Sequence, residues 1–285
     1  MAGSLIKLKD IMEKLSPSER KVAEYIIDKS ELISDLSIGE LAHKSGSSEA
    51  TIVRLCKLLD FKGYKDFKIS FTKDIAYIIK RDEVEKYTDV EPGDSLESII
   101  QNISYNSKKS IDNTLEIISY DQIKKAVDIL ALADKIEFFG VGPSYVIAYD
   151  AMIKFLKLNK VAMSSPDPYI QIASAASLKK GDAAVAISYS GEARDTYDSI
   201  RKAKESGAAT ISITKFGQSS ISDICDINLF VSAPETTIKS SGMSSRIAQL
   251  NIIDILFAGV ASKQFDEVKK YLEKARKYTR NKKMK

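Results

Sequence analysis

The stretch Ala183-Ala184-Val185-Ala186-Ile187-Ser188-Tyr189-Ser190-Gly191-Glu192-Ala193-Arg194 decides the architecture. Its first five residues are apolar without alternation and too few for a helix, the pattern of a strand buried on both faces. The chain then turns on serine and glycine, and a helical pattern runs from Arg194 to Glu205. Ile136 to Gly140 repeats the sequence of events, followed by Val141-Gly142-Pro143-Ser144 and a helical stretch from Tyr145 to Leu158. With the quoted strand taken as Ala183 to Tyr189, further strands are expected at Val161 to Ser164, Thr210 to Thr214 and Asn228 to Val231. Helices are expected at Ile170 to Leu178, Ser219 to Cys225 and Ser244 to Ala261. Five buried strands alternating with helices give an α/β three-layer sandwich around a five-stranded parallel sheet.

In such a sheet ligands sit beyond the carboxyl ends of the strands. After the first strand, Gly142 and Ser144 bring a close backbone approach and a hydroxyl to the start of a helix. After the third come Ser188, Tyr189, Ser190 and Gly191. After the fifth come Glu235-Thr236-Thr237 and Ser240-Ser241-Gly242-Met243-Ser244-Ser245-Arg246. Three loops rich in hydroxyls and backbone amides on one rim suit a phosphate with a polyhydroxy body. A dinucleotide is the competing ligand, but its fingerprint fails: Tyr145 stands where the third glycine belongs, and the second strand ends in Ser164-Ser165 without a ribose-binding acid.

Residues 1–80 contain no strand pattern, only helical patches: Leu5 to Leu15, Pro17 to Asp28, Ser37 to Lys44, Ser48 to Leu59 and Tyr64 to Ile79. The third and fourth meet at Ser45-Gly46-Ser47, a helix, a three-residue turn with a central glycine, and a helix. On the second of this pair Ile52, Leu55, Cys56 and Leu59 form one apolar stripe. Ser47, Ala50, Arg54 and Lys57 then face the other way, with Ser48 at the start and Thr51 at the flank. Small residues first and Arg and Lys further along suit a helix read against base edges and phosphates. Lys62, Tyr64 and Lys65 add basic and aromatic residues for the flanking backbone. This is an all-α helix-turn-helix bundle, expected over 1–79. A charged linker follows over 80–94, and helices from Ser95 to Ile118 and Tyr120 to Ala133 lead into the α/β domain, taken as 95–263. A basic helix and tail close the chain over 264–285.

The chain has 285 residues, one histidine (His43), two cysteines (Cys56 and Cys225) and no tryptophan. Four-ligand zinc sites and Cys-His or Ser-His catalytic pairs are nearly excluded, and no metal or cofactor is expected. The two cysteines have no redox spacing and read as small buried apolar residues. The net charge of +4 divides unevenly. Residues 1–80 carry 14 Lys and Arg against 12 Asp and Glu, residues 81–262 carry 19 against 24, and residues 263–285 carry 10 against 3. Within 44–73 the balance is 7 to 3, a basic reader beside an acidic body. With no signal-peptide pattern and no membrane span, a soluble cytoplasmic protein is expected.

The two loops Gly140-Val141-Gly142-Pro143-Ser144 and Ser188-Tyr189-Ser190-Gly191 resemble the SIS phosphosugar-binding domain. Ser48-Glu49-Ala50-Thr51-Ile52-Val53-Arg54-Leu55 with Gly63-Tyr64-Lys65-Asp66-Phe67-Lys68 resembles the N-terminal domain of the MurR/RpiR transcriptional regulators. Glu235 to Asp254 is similar to the last segment of that family's sensor. The resemblance implies a regulator of sugar or amino-sugar metabolism that binds operator DNA, senses a sugar phosphate, and forms a homodimer or homotetramer through the SIS domain. It assigns the phosphate to Ser144, Ser188 and Ser190, and the operator to Arg54 with Ser47, Ser48 and Thr51. One departure is Ala193, where related sites often carry a threonine, so a phosphate hydroxyl is missing or supplied by Thr196. The alternative is a sugar-phosphate isomerase or amino-sugar phosphate lyase using Glu192 or Glu235 as base. A sensor half without histidine favours binding over catalysis.

Overall fold

The computed structural model describes residues 3–80, 92–233 and 242–279. The chain separates into two compact units, residues 1–117 and 118–285.

The first unit is all helical: α1 Ser4–Ile11, α2 Pro17–Asp28, α3 Ile38–Lys44, α4 Glu49–Leu58, α5 Tyr64–Lys80 and α6 Leu96–Ile117. Its core gathers Leu8, Val22, Ile26, Ile33, Leu41, Ile52, Leu55, Phe67 and Phe71, all buried. The apolar stripe read on α4 is the buried one, and Cys56 lies within it. Helix starts follow from capping. The Glu19 carboxylate accepts from the Ser16 backbone N–H at 3.1 Å and its hydroxyl at 2.6 Å. Ser37 and Ser48 accept from Glu40 N and Thr51 N at the starts of α3 and α4. α1 is held to α5 through Ser4, whose amide donates to Asp74 at 2.6 Å.

α6 groups with this unit because it packs on α1, whereas the expected division fell in the charged stretch 80–94. Residues 81–91 of that stretch lie outside the described ones. Composition marks where a core is absent, but it does not say which core claims the next helix.

The second unit runs α7 Tyr120–Leu132, β1 Lys135–Phe139, α8 Pro143–Leu156, β2 Val161–Met163, α9 Pro168–Ala176, β3 Ala183–Ile187, α10 Arg194–Glu205, β4 Ala209–Lys215, α11 Ser220–Ile224, β5 Ile227–Val231, α12 Met243–Lys263 and α13 Phe265–Thr279. All five strands are parallel, in the order β2-β1-β3-β4-β5. One layer, with α7, α8 and α12, closes over Ile136, Phe138, Val185, Ile187, Ile211 and Ile213. The other layer, with α9, α10 and α11, covers Phe139, Ala184 and Ala186. Strand β3 is buried at every position, as its unbroken apolar run requires. Asp226 pins β5 to β4: burial raises its pKa, but hydrogen bonds from Lys204 and Thr210 outweigh this and hold it below the ordinary value.

Burial, with a nearby carboxylate as the second cause, pushes both cysteine thiols up to about 12. At neutral pH neither supplies thiolate. A thiol reagent added to the native chain should therefore label Cys56 and Cys225 far more slowly than in denaturant. Rapid labelling of either would show an open site.

Candidate functional site

The strand order contains one reversal. From β1 the chain crosses outward to the edge strand β2, then returns past β1 to β3 and proceeds the other way. The crossovers leaving β1 and β3 therefore diverge, and a crevice opens beyond the carboxyl ends of these neighbouring strands. The loops at its two sides are Gly140–Ser144 and Ser188–Gly191.

The first loop is tight. A side chain on Gly140 would come within 2.9 Å of the Ser144 backbone. Pro143 at the first helical position carries no N–H, and the amides of Ser144 and Tyr145 turn back to Val141 O and Gly142 O. What α8 presents to the crevice is thus the Ser144 hydroxyl and the positive end of its dipole. The second loop folds over β4. A Cβ on Gly191, at φ 71°, would strike Ser219 Oγ at 2.2 Å. Ser188 is buried and Ser190 exposed. Tyr189 spends its hydroxyl on Ala233 O at 2.8 Å, and its carbonyl accepts from Lys215 N at 2.8 Å, so it ties β3, β4 and β5 together. Gly242 lies against Pro143, which brings the start of α12, with exposed Arg246, beside the first loop. Glu235 lies outside the described residues.

Capping divides the helix starts of the second unit. α7, α9 and α11 are capped by Ser119, Asp167 and Ser219. No side chain caps α8, α10 or α12, which begin at Gly142, Ala193 and Gly242. Relative to a Ser or Asp cap, Ala at this position costs about 1 kcal/mol and Gly only a few tenths, and an uncapped start is also where an anion is best received. Ala193 thus takes its meaning from geometry: it removes the hydroxyl that would otherwise serve the first turn of α10. Thr196 is fully buried in α10, and its Oγ1 has no partner among the described residues. Glu192 is committed, accepting from the Ser220 backbone at 3.1 Å and its hydroxyl at 2.6 Å. Asp167, close in sequence to a ribose-binding position, instead caps α9 by accepting from Tyr169 N at 2.8 Å.

Gln171 was not foreseen. Buried on α9, it accepts from Gly140 N and donates to Gly140 O at 2.9 Å and to Ser165 O at 2.7 Å. It holds the first loop in place from the helix that follows β2. Its one sequence signal is an amide within an otherwise apolar helix.

In the helical unit, Gly46 at φ 62° makes the turn between α3 and α4. Ser48, Ala50, Arg54, Lys57, Lys62 and Lys65 are exposed. Ser47 is half-buried, with its hydroxyl unpartnered among the described residues. Two expected readers are placed differently. Thr51 is buried, bonded to Ser48 Oγ at 2.9 Å and accepting from Arg54 Nη2 at 3.2 Å. Tyr64 is buried and donates to Leu36 O at 3.0 Å, because its ring continues the apolar face of α5. The Glu19 carboxylate that closes the start of α2 also lies 3.6 Å from Arg54 Nε. Ser16, Glu19, Arg54, Thr51 and Ser48 make one chain that orients the guanidinium while leaving it exposed.

Among the described residues no helix is long and apolar enough to cross a membrane, and no cluster of His, Cys, Asp or Glu could hold a metal ion.

Residues 2–77 match the helix-turn-helix domain of the rpiR family, and residues 129–259 match the SIS domain. An uncharacterized HTH-type transcriptional regulator of Caldanaerobacter subterraneus subsp. tengcongensis is 40% identical over 273 residues, covering 96% of this chain and 95% of its own. The HTH-type transcriptional regulator HexR of Escherichia coli is 32% identical, over 90% of this chain and 86% of its own. The structure of the Vibrio vulnificus NanR protein complexed with ManNAc-6P shares the fold, with a TM-score of 0.62 at 23% identity over 99% of this chain and all of that one.

Two consequences are testable. Gln171→Ala should destabilise the second unit by on the order of 2 kcal/mol in chemical denaturation, since it leaves buried backbone groups unpaired; an unchanged midpoint would remove the role given to Gln171. Glu19 is held below the usual glutamate value of 4.5, chiefly by the Ser16 hydroxyl. The stability it contributes is full above that value and is lost as pH falls through the depressed one. The melting difference between the parent chain and Glu19→Gln should therefore shrink between pH 7 and pH 3; a constant difference would contradict this assignment.

Proposed function

The chain belongs to the rpiR family of helix-turn-helix transcriptional regulators that carry a SIS domain, and from that premise we propose that a sugar phosphate bound in the crevice between β1 and β3 controls its operator binding. The carrying observation is the coincidence of the strand reversal with two serine loops and the uncapped starts of α8, α10 and α12. The phosphate is received at the start of α10 and by the Ser144, Ser188 and Ser190 hydroxyls. Arg246 on α12, together with Glu235, serves the sugar. The ManNAc-6P of the NanR complex is a ligand of the class this arrangement suits.

Operator recognition falls to the exposed face of α4. Arg54, Ser48 and Ala50 address base edges, and Lys57, Lys62 and Lys65 address phosphates. Paired copies, associated through the SIS domain, set two such helices about one DNA turn apart. Ligand at the rim changes that spacing, and with it operator affinity, a coupling between distinct sites. The hydrogen bonds that occupy Glu192 support a binding role over an isomerase or lyase.

Binding of the chain to DNA from its own upstream region, together with a panel of hexose and hexosamine phosphates, separates these assignments. Arg54→Ala should weaken operator affinity by about 1–3 kcal/mol without altering the thermal shift given by the effector. Ser190→Ala should abolish effector response and leave DNA affinity intact. Loss of both functions in either variant would defeat the separation of sites. Turnover of any panel member at enzymic rates would favour the catalytic alternative.

A further inference from the structure

We propose that Glu19 and Thr51 are positioning residues that make Arg54 the reader of a single guanine in each operator half-site. The inference rests on the reading of α4 as the operator helix, and adds the base it selects and the residues that enforce the choice.

An arginine on an exposed helix face is ordinarily a poor discriminator. Its side chain is long, and its charge is drawn to whichever phosphate lies nearest, which adds affinity for every sequence alike. Arg54 is not free in this way. Its side chain is 61% exposed, yet its Nε lies 3.6 Å from the buried Glu19 Oε1, and its Nη2 donates to Thr51 Oγ1 at 3.2 Å. Both partners are themselves held. Glu19, on α2, accepts from the Ser16 hydroxyl at 2.6 Å and the Ser16 amide at 3.1 Å, and α2 packs on α4. Thr51 is buried on α4 itself, with its hydroxyl 2.9 Å from Ser48 Oγ.

A guanidinium carries five N–H donors in a rigid fork. Nε and the Nη2 hydrogen beside it make one edge, and here that edge faces Glu19 and Thr51. What remains is the end-on fork, both hydrogens of Nη1 and the outer hydrogen of Nη2. A pair of parallel donors matches a pair of acceptors. In the major groove guanine alone offers one, O6 with N7: adenine sets a donor beside its N7, cytosine offers a donor, and thymine offers one acceptor beside a methyl group. Ala50, exposed one turn before Arg54, adds no bulk that would hold the helix away from a base edge.

Charge acts in the same direction. The Glu19 carboxylate offsets the Arg54 charge locally, which weakens its pull on phosphates and leaves the directed bonds as the main gain on binding. A fork held in place also cannot swing to another acceptor, so a wrong base leaves its donors unpaired.

Fluorescence anisotropy of the full chain with duplex DNA from its own upstream region tests this, with 7-deazaguanine, which lacks N7, placed at each guanine in turn. The parent chain should lose about tenfold in affinity at one guanine per half-site, and Arg54→Ala should be indifferent to that replacement. Glu19→Gln keeps an acceptor for Ser16 but removes the charge. It should lose most of the discrimination at that guanine, bind scrambled DNA at least as tightly as the parent, and show a steeper fall of affinity with salt. Thr51→Val should lose discrimination likewise. Glu49→Gln, which removes an exposed charge from the same helix, should raise affinity for all duplexes alike and leave discrimination unchanged. A merely structural role for Glu19 would lower binding to operator and scrambled DNA together, and a mere charge effect would repeat the result of Glu49→Gln; either outcome overturns the proposal, as does full discrimination in both Glu19→Gln and Thr51→Val. A parent chain insensitive to every guanine replacement defeats the reading of Arg54 at base edges as well. A guanine sensed through Arg54 whatever stands at 19 and 51 leaves that reading intact and removes this inference alone.

Discussion

Neighbouring parallel strands whose crossovers leave in opposite directions cannot be roofed by their own connections. This constraint, imposed between β1 and β3 by the order β2-β1-β3-β4-β5, governs the second unit. It opens a crevice at the carboxyl edge and sets the starts of α8 and α10 at its sides. It also sends the chain out to β2 and back, which leaves β2 at an edge. The proposed ligand site and the edge position of β2 are two results of the same reversal, and Gln171 ties α9, the helix that follows β2, to the first loop.

Within that frame, small residues decide what the crevice accepts. Gly140 and Gly191 permit backbone approaches that any Cβ would block. Gly142, Ala193 and Gly242 leave helix starts without side-chain caps, and Pro143 passes the work at α8 to a hydroxyl. Serine hydroxyls and helix dipoles can receive an anion without moving protons, which agrees with the binding role proposed for a second unit that has no histidine. In the helical unit the corresponding device is ionic: Glu19 is pinned by Ser16 and steers Arg54 into position without burying it.

Much of this was legible in the residues. The unbroken apolar run of Ala183 to Ile187 gave β3, because a strand covered on both faces has that composition, and shorter apolar-rich stretches between helical patterns gave the other four. The apolar stripe of Ile52, Leu55, Cys56 and Leu59 gave the orientation of α4. What escaped were relations between distant segments. Thr51 and Tyr64 look like polar readers until their partners Arg54 and Leu36 are placed. Gln171 acquires its role from a carbonyl and an amide that lie 31 residues away in sequence. α6 joined the helical unit through α1, a contact between segments about 100 residues apart that no local pattern encodes.

The central claim is that an anion is received at the β1/β3 reversal by helix starts left uncapped for it. Backbone amide chemical shifts recorded while a hexosamine phosphate is titrated into the full chain test this most directly. The account predicts saturable shifts at Ser188 to Gly191 and at Arg194 to Thr196, with Ser144 following, and little change at the capped starts of α9 and α11. Equal shifts at every helix start, or saturable shifts centred away from these two loops, would contradict it.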